Sequence, residues 1–532
     1  MVPGLRLRLA FQRVRDELLE QPKSGRAFVA NRFELSLIEV AYGDWITNLR
    51  AELGSDIWTP GPVEFCNAPK GRGLVRPGVR MAIRDRVVYT AAVGMCLRNI
   101  DAQTRWSQKR IDFATQINSN KLSKREWLRS PFVGWKAWRD ESLRLLALRR
   151  STFVVLADIA GYFENISISL LTSDLLQAGC REDVIVLLRK CLNHWCQTPD
   201  RGLPQGILAS DILAKVYLEA FDRHLKGHGL RHVRYADDLR IFCKSEREAR
   251  EALVKVTELL RQRGLTLQSA KTQITKAAGL EPEFEGAVPA IQALQRDFIV
   301  DKKIRQQMVD DPSIPISAID DLAGSDPTTF DPKVIQRAFR RFVVQSESPD
   351  KTMRRFLLRR FAALHDDTAV EYCETLVVDA PEATTEILRY FQDLDDPARF
   401  EFALVRALRD PDLTMYPYQQ CLILDWLWRN AHSLRKPTRA TIRKIALSGD
   451  TPSYVRIVCE ALLGRFGDIA DRERIATRFG SSSDPLERAQ LLCCLSNLEK
   501  GRRNALMGRV KDEGPWVARA VKLMRLAPTG GN

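Results

Sequence analysis

Tyr235-Ala236-Asp237-Asp238 constrains this chain more than any other segment. It lies within Arg231-His232-Val233-Arg234-Tyr235-Ala236-Asp237-Asp238-Leu239-Arg240-Ile241-Phe242-Cys243. Adjacent carboxylates repel each other and gain nothing structurally by being adjacent. The strand-favouring residues on both sides predict a β-hairpin whose turn presents the acids. A divalent cation held at that turn resolves the repulsion.

Three further segments stand in a fixed order around the hairpin. Upstream, the apolar run Phe153-Val154-Val155-Leu156-Ala157 has strand length and ends in Asp158, followed by Tyr162-Phe163. Strand ends are where chemistry is mounted on sheets, so Asp158 is expected to meet Asp237 across the sheet. Next comes Gly202-Leu203-Pro204-Gln205-Gly206, then Ser210 and a helical apolar pattern from Ile212 to Leu225. A glycine-bounded loop entering a helix brings backbone close to a flat substrate or a phosphate. Last is Gly264-Leu265-Thr266-Leu267 with Lys271-Thr272, which places a lysine soon after the acidic hairpin.

That order resembles motifs A, B, C and D of reverse transcriptases. The flanks Arg-Tyr-Ala-Asp-Asp and Leu-Pro-Gln-Gly resemble the prokaryotic branch, which comprises group II introns, retrons and phage-defence enzymes. The resemblance covers roughly the first 290 residues, and Arg76-Pro77 with Arg84-Asp85-Arg86-Val87-Val88 resembles the fingers segment. It implies an α+β fold in which right-hand polymerase fingers and palm fill residues 1–290. It also implies an RNA-directed DNA polymerase that takes dNTPs and uses two Mg²⁺ ions, with Mn²⁺ as a substitute. Mg²⁺ prefers oxygen donors and often pairs one or two carboxylates with substrate phosphates.

On this resemblance the metal set is Asp158, Ile159, Asp237 and Asp238, with Asp238 the least direct. Lys271 joins the three acids as a catalytic residue on the pyrophosphate side. Phe163 maps to the position that closes under the sugar, where a ring would clash with a 2′-hydroxyl. Gln205 and Gly206 are expected against the incoming nucleotide, with Arg72 and Arg76 at its phosphates. Lys70, Arg80 and Tyr235 are expected along the nucleic acid.

Charge fits a polyanionic partner: 82 Lys and Arg against 67 Asp and Glu leave +15. The excess is uneven, +12 over residues 1–300 and +3 over the remainder. Between Arg105 and Arg150, basic residues alternate with Trp106, Trp127, Trp135 and Trp138. That mixture suits backbone contacts and base stacking, or else an amphipathic helix pair with a solvated basic face. Eleven scattered cysteines without a Cys-x-x-Cys pair argue for a reducing compartment. Cys191, His194 and Cys196, or His224, His228 and His232, lack a convincing fourth zinc ligand. There is no secretory leader pattern and no membrane-spanning apolar run, so a cytoplasmic protein without membrane partners is expected.

The second half is a different kind of sequence. Residues 291–332 read as a connector, rich in Asp, Pro and Ser from Asp310 onward. Across 333–532, Gly is sparse and apolar residues recur at helical spacing. Pro417, Pro452, Pro485 and Pro515 each open an amphipathic segment, at intervals of 35, 33 and 30 residues. Proline in a first helical turn, repeated in this way, predicts an all-α HEAT-like repeat domain.

A polymerase core followed by such a domain resembles the abortive-infection and other defence-associated reverse transcriptases of bacteria. Members make DNA on a non-coding RNA or without a template, and some start from a protein hydroxyl. A homo-oligomer is compatible with this group. Two alternatives have different signatures. A group II intron-type or retron-type enzyme predicts a basic thumb and maturase region or a shorter chain. A non-catalytic RNA-binding polymerase fold has no need for Asp158, Asp237 and Asp238 together.

Overall fold

The computed structural model describes residues 2–24, 32–71, 73–285, 290–294, 331–347, 349–410 and 416–526. Arg72 and most of the 291–332 connector lie outside the described residues.

Four antiparallel strands form the central sheet in the order β4-β5-β3-β6. They are β3 (Phe153–Asp158), β4 (Arg231–Tyr235), β5 (Asp238–Cys243) and β6 (Gln273–Lys276). Phe153, Val154 and Val155 of β3 and Ile241 and Phe242 of β5 are of the β-branched and aromatic types that suit a pleated surface. Successive side chains point to opposite faces, and both faces are covered. Val155, Ala157, Leu239, Ile241 and Cys243 enter the main core. Val154, Val233 and Phe242 enter a second core with Phe113, Trp138, Leu145 and Phe284. Burial on both sides explains why β3 reads as a continuous apolar run rather than an alternating one.

The second face is covered by the helix Pro131–Leu146, which belongs to the basic, tryptophan-rich stretch. Base stacking is not the task of most of those rings. Trp138 is buried beneath the Arg240 guanidinium at 3.7 Å, and Trp127 is buried beneath that of Arg13 at 4.0 Å. Trp106 donates to Glu219 Oε1 at 2.6 Å. Trp106 and Trp135 stay half-buried, and Trp135 is stacked on exposed Phe132. Their large apolar area is worth more in the core than in water. Cys191 is likewise a core residue, and His232 Nε2 lies 3.4 Å from Asp222 Oδ1.

A separate two-stranded hairpin, β1 (Glu64–Lys70) and β2 (Leu74–Arg80), stands beside the sheet. The long helix Ile83–Thr104 follows it into the main core.

The C-terminal region is largely helical. The helices Lys351–Ala363, Thr384–Gln392, Pro417–Asn430, Ser453–Phe466, Pro485–Cys494 and Pro515–Leu526 form one row, each packed on the next. Val370–Asp379, Glu401–Arg409 and Lys436–Leu447 form part of a second row. Of the four prolines singled out in the sequence, Pro417, Pro485 and Pro515 start helices of the first row, and Pro452 caps the start of another. Aspartates at helix starts satisfy otherwise orphaned N–H groups: Asp350 accepts from Met353 N at 2.7 Å and Asp484 from Glu487 N at 2.6 Å.

This helical core extends into the other half. Leu37, together with Cys66 and Ala68 of β1, belongs to the same apolar cluster as Tyr418, Cys421 and Tyr454. Burial there pushes the Cys66 thiol up to about 12. At the rim of the seam, Arg80 Nη1 donates to Glu64 Oε2 at 2.7 Å and Ser453 Oγ at 3.3 Å. Arg80, expected along the nucleic acid, is therefore engaged in joining the two halves. Among the described residues no helix is long and apolar enough to cross a membrane.

Candidate active site

Strand register assembles the acids. β3 pairs with β5 so that Asp158 lies opposite Asp238, and Tyr235 is paired with Asp238 across the hairpin. Ala236 and Asp237 are left as a tight turn. Ala236 has φ 57°, a left-handed conformation that costs a non-glycine residue roughly 1–2 kcal/mol. Two hydrogen bonds hold it: Arg234 Nη1 donates to the Ala236 carbonyl at 2.9 Å, and Ile159 N donates to the Asp237 carbonyl at 3.3 Å.

The segment after Gly264 is laced to the end of β3. Ala160 N donates to the Thr266 carbonyl at 2.9 Å, and Gln268 N to the Asp158 carbonyl at 2.7 Å. A short 3₁₀ turn, Ser269–Lys271, then places Lys271 Nζ 2.9 Å from Asp158 Oδ2.

The glycine-bounded loop closes another wall. Gly206 has φ +85°, which glycine adopts without steric cost. The Gln205 carbonyl accepts from Val79 N of β2 at 3.4 Å, and Gln205 Nε2 donates to Glu164 Oε1 at 3.3 Å. Phe163 is half-buried, edge-on to buried Tyr162 with centroids 5.5 Å apart.

The result is one cleft of about 830 Å³. Asp158, Ile159, Asp237, Lys271, Phe163, Gln205 and Gly206 line it from the sheet side, and Lys70 and Arg76 from the β1–β2 hairpin. Asp238 and Arg80 do not line it. Asp237 sits in the turn and lines the cleft, whereas the side chain of Asp238, the first residue of β5, is exposed. Tyr235 lines a neighbouring hollow of about 600 Å³ that also contains Arg129 and shares Phe163 with the cleft.

The electrostatics are those of an under-compensated acidic site. Burial, then the charge of Asp158, raises the Asp237 pKa against the opposing pull of Lys271 and Arg76. Asp238 is pushed up to about 6 by the protein packed around its carboxyl, then by Asp237 and Asp158. Its side chain reaches solvent, so water moderates that crowding. For Lys271, burial works downward, but the hydrogen bond and charge of Asp158, with Asp238 and Asp237, outweigh it and raise its pKa.

Hard oxygen donors whose charges repel fit a divalent cation of the Mg²⁺ type. Among the described residues no group of three or more His, Cys, Asp or Glu could enclose a metal ion. Asp158, Glu164, Asp211 and Asp237 all line the cleft, and of these Asp158 and Asp237 meet where the end of β3 joins the turn, an open pair that leaves coordination positions for substrate phosphate oxygens.

Beneath the turn lies a set of buried charges that the sequence reading did not identify. Arg234 Nη2 lies 2.6 Å from Asp222 and 3.3 Å from Asp112, and Lys215 Nζ lies 2.5 Å from Asp112. None of these side chains is more than 2% exposed. Their spacing in sequence carries no periodic signal, and only the packed structure reveals the cluster. Glu164 and Lys351 are two further cleft residues that the motifs did not indicate.

Residues 77–303 match the family model described as reverse transcriptase (RNA-dependent DNA polymerase). Residues 77–303 are therefore similar to a reverse transcriptase domain, of a family described as RNA-dependent DNA polymerases that generally uses divalent metals. No curated protein matches the chain. Among solved structures it is similar to telomerase from Candida albicans in complex with a TWJ fragment of telomeric RNA. That match has 11% identity, covers 67% of this chain and 63% of that chain, and has a TM-score of 0.31. Apo telomerase from Candida tropicalis matches at 10% identity, with 79% and 73% coverage and a TM-score of 0.32. The chain thus spans about 63% of the length of the first of these relatives.

Proposed function

We propose that this protein is a bacterial antiphage-defence reverse transcriptase, with fingers and palm in residues 1–290, a connector at 291–332 and a HEAT-like domain at 333–532. It makes DNA from dNTPs on a bound RNA or without a template, and its own hydroxyls are candidate primers. The observation that carries the polymerase reading is the single cleft in which Asp158, Asp237, Lys271, Phe163 and Gln205 meet Lys70 and Arg76. The defence reading rests on the prokaryotic style of the motifs and on the helical rows packed against β1.

In this reading Asp158 and Asp237 hold two Mg²⁺ ions, or Mn²⁺ in their place, and Asp238 adds negative charge from outside the cleft. When bound, the ions stabilise charge on the reacting phosphate and activate the attacking hydroxyl. Lys271, held at Asp158, is placed to donate a proton or charge toward the leaving pyrophosphate. Lys70, expected along the nucleic acid, lines the same cleft as Arg76, and in this reading both reach the triphosphate, while Gln205 and Gly206 form the wall against the nucleotide. Tyr235, facing the neighbouring hollow, lies along the nucleic acid. The deciding experiment pairs dNTP incorporation by purified protein with phage challenge of cells carrying wild-type protein or the Asp237→Asn variant. Incorporation without any protection leaves the polymerase and removes the defence role. Protection that survives Asp237→Asn removes the link between them.

Phe163 provides a prediction of its own. Trimming the ring to Ala opens space under the sugar while leaving the metal donors in place. Phe163→Ala is expected to raise ribonucleotide incorporation relative to deoxyribonucleotide by about 10- to 100-fold, the usual reach of steric discrimination over one hydroxyl. Competition between labelled rNTP and dNTP measures it, and an unchanged ratio in an active variant returns Phe163 to a packing role.

A further inference from the structure

The helical region reaches into the nucleotide cleft. Lys351 opens the helix Lys351–Ala363 and lines the same cleft as Asp158, Asp237, Lys70, Arg76 and Lys271. Its side chain is 54% exposed, with Nζ 3.0 Å from Glu382 Oε1. It lies against the tip of the β1–β2 hairpin: a Cβ added to Gly71 would come 2.6 Å from Lys351 Nζ and 3.2 Å from Glu382 Oε1. The absence of a side chain at Gly71 leaves room for the ammonium beside the hairpin that carries Lys70 and Arg76.

The ion pair alone accounts poorly for this placement. A half-exposed Lys–Glu pair contributes about 0–1 kcal/mol. An ammonium has three donors, and Glu382 is its one hydrogen-bond partner among the described residues. The remaining donors sit in a cleft whose own acids repel a polyphosphate. We propose that Lys351 binds the triphosphate of the incoming dNTP, so that the helical region completes the nucleotide site. This rests on the polymerase reading above. The ligand is the triphosphate rather than a strand phosphate because Lys351 shares the cleft and the hairpin tip with Lys70 and Arg76. Lysine acts there as a point charge, a role it commonly has at phosphates.

The test uses the full-length protein with Lys351→Met, Lys351→Arg and Glu382→Gln variants. Losing one charge-assisted contact should raise the KM for dNTP by about 10- to 100-fold in Lys351→Met, with a smaller change in kcat. The dissociation constant of a non-hydrolysable α,β-imido dNTP, measured for all four bases, should rise by the same factor. Lys351→Arg should recover most of the loss. Glu382→Gln should leave KM unchanged or lower it, because it removes a competitor for the ammonium. If Glu382→Gln reproduces Lys351→Met, the lysine is a structural tie and the proposal is overturned. It is also overturned if Lys351→Met weakens single-stranded oligonucleotide binding but not the dNTP constants. Wild-type incorporation with an unaltered KM in Lys351→Met removes this inference alone. Wild-type protein that neither incorporates nor binds dNTP removes the polymerase reading together with it.

Discussion

Asp237→Asn is expected to lower Mg²⁺-dependent dNTP incorporation by about 10³-fold or more, because metal ions supply several kcal/mol of transition-state stabilisation and about 1.4 kcal/mol is tenfold in rate. Asn keeps the shape of Asp and removes the charge of one of the two carboxylates assigned to the metals. The fold is not expected to suffer. Burial and Asp158 already hold the Asp237 pKa above its ordinary value, so the ionised side chain strains the apo-protein. The variant should therefore melt at the wild-type temperature or above it when no metal is present. Adding Mg²⁺ should raise the melting temperature of the wild type and do less for the variant, by mass action on the folded state. Asp158→Asn should behave in the same way in catalysis. Near-wild-type rates in either folded variant would remove Asp158 and Asp237 as the metal donors.

Much of the site was legible in the sequence because its chemistry is local. An acid at a strand end, an acidic hairpin and a glycine-bounded loop each declare themselves within a few residues. Strand register then does the assembling, and it places Asp158 opposite Asp238 and Asp237 in the turn. Residue type alone suggested Asp238 as another ligand, and its exposure outside the cleft shows only in the structure. What stayed hidden depends on contacts between distant segments. Lys351 reaches the cleft from outside every motif, and Arg80, which resembles a phosphate contact by type, instead bridges Glu64 and Ser453. Trp127 and Trp138 sit in a basic stretch that suggests nucleic acid, yet both are buried beneath arginines. In the helical region, proline spacing marked the first-row helices, but nothing in it indicated that Cys66 and Ala68 of β1 would share their core.

Arg234→Met should disable the acidic turn from below. Arg234 compensates Asp222 and part of Asp112, and its Nη1 is a hydrogen-bond donor to the strained Ala236 carbonyl. Met fills similar space but leaves buried carboxylates facing only Lys215 and His232. Breaking a buried pair by removing one partner costs about 3–5 kcal/mol. At about 1.4 kcal/mol per decade, hydrogen-exchange protection across residues 231–243 should fall by about 10²- to 10³-fold, with a fall in incorporation as the turn loosens. Pairing Arg234→Met with Asp222→Asn should restore part of that protection, because the orphaned charge is removed.

The pH dependence has a definite sign. For Asp222, burial pushes the pKa up, but Arg234 and His232 overcome it and hold the carboxyl at about 2. An unfolded chain gives Asp about 3.9. The folded value is the lower one, so this stabilisation is fully present above about pH 4 and is lost as pH falls toward 2. Without the guanidinium, burial dominates and the folded pKa of Asp222 rises, so the acid transition of Arg234→Met should move to higher pH. An acid midpoint and exchange protection equal to wild type would mean that the guanidinium does not support the catalytic turn.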